Sequence, residues 1–133
     1  MAVELITKEE AARPNDPFRP EAVNRRGPYP DPEIRVWVNP VVTSPFNLTV
    51  ELRPGAKSAR INLNSLQITY RKSPPVDLKR RILPFVDSSN RVVVIKLENA
   101  EAPPGKHQIV FQVEDSNDLL VTKVLDLEVR SSR

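Results

Sequence analysis

The chain has 133 residues: 20 lysines and arginines against 17 acidic residues, one histidine, no cysteine, and 14 prolines against 3 glycines. That is the length of one domain able to bury a sizeable core. The lack of cysteine excludes a disulfide framework, thiolate chemistry and a cysteine-ligated metal. The net charge of +3 is mild; it permits attraction to polyanions without requiring it. No apolar run approaches the length that spans a membrane as a helix.

Residues 1 to about 32 form a zone of their own. Thr7-Lys-Glu-Glu10 has the form of a capping box, which predicts a short helix over Lys8 to Arg13. Pro14 should stop it, because the residue before proline disfavours the α region. Pro17, Pro20, Pro28, Pro30 and Pro32 follow, with polar residues between. This reads as a proline-rich arm without a core, removable without unfolding the rest, unless Phe18 or Tyr29 docks it. The opening Met1-Ala2, running straight into Val3-Glu4-Leu5, suits a start placed after a removed export signal and equally a native start.

From residue 33 the pattern becomes that of strands. Ile34, Val36 and Val38 alternate with Arg35 and Trp37. Phe46, Leu48, Val50 and Leu52 alternate with Asn47, Thr49 and Glu51, up to a turn at Pro54-Gly55. Leu66, Ile68 and Tyr70 form a third alternating set. Asp77 is placed to cap a turn of helix with Leu78 and Ile82 on one face, ended by Pro84, and Phe85 is expected in the core. Arg91 to Leu97 is a strand with Val93, Ile95 and Leu97 on one side and Val92 and Val94 on the other. Pro103 to Val129 reads as a long hairpin. Ile109, Phe111 and Val113 share one face of its first strand, and Leu125, Leu127 and Val129 one face of its second. Lys123 interrupts the second strand's parity, which predicts a β-bulge near residues 122 to 124.

Pro103-Pro-Gly-Lys-His-Gln-Ile-Val-Phe-Gln-Val-Glu-Asp115 resembles the closing strand pair of immunoglobulin-like or fibronectin III-like domains of exported bacterial proteins. Ser65-Leu-Gln-Ile-Thr-Tyr70 is similar to a central strand of the same domains. The likeness covers roughly residues 34 to 130. The chain departs from antibody-type domains in lacking a cysteine pair and in carrying its one tryptophan on the first strand. The resemblance implies an adhesive, spacer or docking role and no catalytic residues.

The expected fold is therefore all-β: an antiparallel immunoglobulin-like β-sandwich of six or seven strands over residues 33–133, with the proline-rich arm before it. Its expected core includes Phe46, Leu48, Val50, Leu66, Ile68, Tyr70, Val93, Ile95, Ile109, Phe111, Leu125 and Leu127. His107, the single histidine, follows a turn and is expected at the surface, where a catalytic triad has nothing to build on. Glu114, Asp115, Asn117 and Asp118 form an oxygen-rich turn without the spacing of a calcium loop. No cofactor and no metal are expected. The candidate binding residues are Arg71, Lys72, Lys79, Arg80, Arg81 and Arg91, which flank an irregular segment between two strands. The expected function is a non-enzymatic interaction or structural module of an exported bacterial protein, periplasmic or secreted, with the cytoplasm as the alternative compartment, contacting another protein or the cell envelope. The alternative is a polyanion- or nucleic-acid-binding domain using the basic edge, although few aromatic residues stand near those cations to stack on bases.

Overall fold

The computed structural model describes residues 3–16 and 30–131. The described residues are all-β, with ten strands in two five-stranded sheets. The first sheet holds β1 (Val3–Glu4), β2 (Glu33–Trp37), β4 (Phe46–Arg53), β7 (Val86–Asp87) and β8 (Val93–Glu101). It runs β1-β8-β4-β2, with β7 also paired to β8. The second holds β3 (Val41–Thr43), β5 (Ile61–Tyr70), β6 (Val76–Asp77), β9 (Gly105–Asp115) and β10 (Leu120–Arg130), in the order β3-β10-β9-β5-β6. All twelve residues expected in the core are buried in one cluster drawn from both sheets. Period-2 alternation places them there: in β4, Phe46, Leu48, Val50 and Leu52 point inward and their neighbours outward.

The sheets are mixed, which corrects the antiparallel expectation. β1 runs parallel to β8, and β3 runs parallel to β10 with Val41 opposite Glu128. The strand count is also higher than six or seven. The reason is common to both. Alternation reports which face of a strand is buried, not its neighbour or its direction, and the additional strands are two or three residues long, too short to show a period. The expected bulge in the last strand is absent. β10 pairs residue for residue with β9 from Leu120 opposite Glu114 to Val129 opposite Gly105. Lys123 keeps its parity and is exposed; a lysine stem can lie along apolar surface while its ammonium reaches water. In this sheet an irregularity sits instead in β5, between Asn62 and Gln67, and the other sheet has one in β4, between Phe46 and Leu48. In β5 the Ser65 hydroxyl donates to the Asn62 carbonyl at 2.6 Å and accepts from the Glu114 amide at 2.8 Å, replacing ladder bonds.

A turn of helix forms after Asp77, but its N-cap is Leu78, without a side-chain capping bond, and Pro84 does not end the helical stretch. α2 spans Lys79–Ile82 and continues as a 3-10 turn, Leu83–Phe85. The Asp77 carboxylate accepts from the Lys79 amide at 2.9 Å, and Leu78 and Ile82 are buried. Phe85 is exposed, not in the core, because the 3-10 turn carries it away from the face shared by Leu78 and Ile82.

The expectation of an arm with few core contacts is corrected for residues 3–16. Leu5 is 0% and Ile6 2% exposed, and both join the core. Their amides donate to the Glu101 carbonyl at the end of β8. The capping box is complete: the Glu10 amide donates to Thr7 Oγ1 at 3.1 Å and the Thr7 amide to Glu10 Oε1 at 3.0 Å, starting α1 (Lys8–Ala11). Glu10 then accepts two bonds from the Arg81 guanidinium, both at 2.7 Å. Further on, the Ser73 amide donates to the Pro14 carbonyl, and Asn15 bridges to Lys72. A composition rich in charge hid this, because two apolar residues are enough to dock the segment. Phe18 and Tyr29, considered as anchors, lie outside the described residues.

Candidate binding cleft

β5 ends where β9 begins and β10 ends, so three adjacent strands of the second sheet present their termini together. A cleft of about 520 Å³ opens there, lined by Asn15, Pro40, Arg71, Lys72, Lys106, His107, Gln108, Asp126, Leu127 and Glu128. Register builds its outer wall. Gln108 stands opposite Asp126 and Lys106 opposite Glu128, all on the face turned away from the core.

His107 forms the inner edge and is 3% exposed, against the expectation of a surface histidine. It occupies an inward position of β9, two residues before Ile109, and the strand's alternation carries it inside. The Pro103 carbonyl lies 2.8 Å from Nε2 and can only accept, so Nε2 carries the proton. Nδ1 therefore accepts from the Tyr70 hydroxyl, also at 2.8 Å. Burial holds the His107 pKa below its ordinary value; the Pro103 bond works against that and the positive charge of Lys72 adds to it. Burial, helped by the charge of Glu10, pushes the Tyr70 phenol up to about 12. Both rings are neutral near pH 7, and both nitrogens of the imidazole are occupied.

Arg71 and Lys72 are 7% and 6% exposed. Arg71 donates to Gln108 Oε1 at 2.7 Å and to the Asp16 carbonyl at 3.2 Å. The Lys72 ammonium donates to Asn15 Oδ1 at 2.6 Å and lies 5.4 Å from the centre of the Tyr70 ring. On the opposite wall, Asp126 accepts from the Gln108 amide at 2.6 Å, and Glu128 pairs with Arg130 at 2.7 Å.

The other four candidate cations have different partners. Lys79 donates to the Leu63 carbonyl at 3.3 Å, beside a shallow depression that includes Asn64, Gln67 and Thr69. Arg80 is exposed. Arg81 is committed to Glu10 and the Leu5 carbonyl, and that carboxylate raises its pKa. Arg91 donates to the Ala56 carbonyl. Of the six, the cleft gathers only Arg71 and Lys72. Sequence reading missed Asn15, Lys106, Gln108, Asp126 and Glu128. The four on β9 and β10 were within reach, because a tight turn at residues 116–119 sets the pairing of the whole hairpin. Nothing local points Asn15 at Lys72.

The oxygen-rich turn serves the hairpin. Asp115 is 1% exposed, and its Oδ1 accepts from the Asn117 and Leu119 amides at 2.9 and 3.2 Å. Among the described residues, no three His, Cys, Asp or Glu side chains are grouped to hold a metal ion, and no helix is long and apolar enough to cross a membrane. Comparison with family models, with curated proteins and with solved structures finds no match to this chain.

Proposed function

We propose that this chain is an immunoglobulin-like recognition module of an exported bacterial protein, binding another protein or a cell-envelope component and performing no catalysis. Strand order is the observation that carries this reading. The first sheet contains the path β2-β4-β8-β7 and the second β10-β9-β5. Taken in chain order, these are the A-B-E-D and G-F-C paths of an immunoglobulin constant-type sandwich. β6, beside β5, falls where a variable-type domain adds a strand. The missing cysteine pair and the position of Trp37 on β2 depart from antibody domains, as does β1, paired beside β7 on β8.

The state of His107 supports the non-catalytic part. Its ring nitrogens bond to Tyr70 and Pro103 inside the protein, so this imidazole is not free to serve a nucleophile as base. The polyanion alternative draws less support, since Arg81 is held by Glu10 and the cleft with Arg71 and Lys72 also carries Asp126 and Glu128. The test is in-cell crosslinking of the full chain to an envelope partner, followed by binding to that partner across a salt series. The expected result is saturable binding that weakens with salt and weakens further when Lys79 and Arg80 are changed to Ser. Recovery of the chain without any partner from every cell fraction would overturn the proposal.

A further inference from the structure

Two buried cations of the cleft at the end of the second sheet have no carboxylate partner among the described residues. Arg71 and Lys72 are more than nine-tenths buried, yet the oxygens that hold them belong to an amide of Gln108, an amide of Asn15 and a backbone carbonyl. Neutral oxygens satisfy hydrogen bonds but do not cancel charge, and a buried cation is stable in proportion to how well it is paired. The Tyr70 ring under Lys72 compensates in part. Among the described residues the ion pairs are Arg35–Glu33, Arg53–Glu51, Arg81–Glu10 and Arg130–Glu128, and none involves Arg71 or Lys72. The exposed Lys106 adds a third cation along the same cleft.

Donor capacity remains on both buried heads. An ammonium has three N–H groups, and among the described residues Lys72 spends one, on Asn15. A guanidinium has five, and Arg71 bonds Gln108 and Asp16 through its two terminal nitrogens. The far wall has the opposite character. Asp126 and Glu128 are acceptors already engaged by Gln108 and Arg130, with lone pairs left over. Leu127 and Pro40 supply apolar surface.

From this geometry we infer that the cleft is a binding site for a small ligand bearing one oxyanionic group, a carboxylate or a phosphate monoester, together with hydroxyls. The oxyanion lies against Arg71, Lys72 and Lys106, where charge-assisted bonds replace an uncompensated charge. Hydroxyls donate to Asp126 and Glu128. A polyanion is disfavoured, because those two carboxylates repel a second negative group. The volume lies within the range of about 300–1,000 Å³ usual for small-ligand sites.

The experiment is an amide-shift NMR titration of the full chain with glucuronate, with inorganic phosphate, and with glucose as the uncharged control. The expected result is a saturable shift of the amides of Arg71, Lys72, Lys106 and Gln108 with one or both anions, at a Kd of about 1 mM or tighter. Glucose should leave them in place. Which anion saturates identifies the source of the oxyanion. Lys106→Gln, at an exposed position, should weaken binding by roughly threefold or more, and Lys72→Gln by roughly tenfold. If Lys72→Gln lowers the melting temperature, Lys106→Gln alone decides. Failure of both anions to saturate, shifts equally large at Lys79 and Arg80, or unchanged affinity in the variants would overturn the inference. It goes beyond the recognition-module reading: loss of partner capture with an intact anion titration counts against that reading alone, and the reverse against the cleft alone.

Discussion

Tyr70 and His107 come from strands whose inner faces the alternation already defines, but their bond depends on two elements meeting. Their pair makes the first prediction. Tyr70→Phe removes the hydroxyl that Nδ1 accepts from and should cost about 1–3 kcal/mol, the penalty for leaving a buried polar atom unsatisfied. Urea unfolding of the variant measures it. The pH dependence follows from the lowered His107 pKa. The unfolded chain binds a proton near the ordinary value of about 6.5, and the folded chain only below that. Stability from this group is complete above about pH 6.5 and declines as pH falls through the window beneath it. The melting temperature should drop on mild acidification, and the drop should shrink in His107→Phe. Phe111, 1% exposed at the centre of β9, gives the largest single effect: Phe111→Ala should cost about 3–5 kcal/mol by the same assay. At Gly55 the constraint is space. A Cβ there would stand 1.9 Å from the Pro30 carbonyl oxygen, so Gly55→Ala should shift the turn that ends β4 and lower the melting temperature.

Among the elements, the segment from β1 through α1 departs furthest from its composition. Charged residues are frequent in it, yet Leu5 and Ile6 are in the core and Glu10 clasps Arg81. Removing residues 1–16 should therefore destabilise the domain by several kcal/mol, roughly 1.5–3 for each of the two buried side chains alone. Retention of the full-length melting temperature by the truncated chain would refute this. The Glu10 carboxyl is lowered to about 2, first by its bonds from Arg81, with burial opposing and Thr7 contributing. Its stabilisation is present above about pH 4.5, the ordinary value, and is lost as pH falls toward 2. Glu10→Gln should flatten stability over that acidic window while leaving the step assigned to His107. The short helix α2 shows the opposite balance between local signal and context. Asp77, Leu78 and Ile82 announced it, and Leu78 and Ile82 are buried while the Asp77 carboxylate accepts from the Lys79 amide.

For the whole molecule, the one core shared by both sheets predicts a single cooperative transition. Chelator should leave its midpoint unchanged, since a bound metal would otherwise raise it by mass action; a calcium-dependent rise would point back to Glu114, Asp115, Asn117 and Asp118. What could be read from residues alone was the all-β class, the long closing hairpin and the twelve core positions. Each of these depends on a neighbour in sequence: alternation sets a face, and a tight turn sets the register of the strand that follows. What only the tertiary structure decided was the parallel pairing of β1 and β3, the docking of residues 3–16, and the meeting of Asn15, Lys72, His107 and Asp126 in one cleft. Those contacts join residues tens of positions apart. A local pattern carries the preference of each side chain for water or core, but not the identity of the partner it will find there.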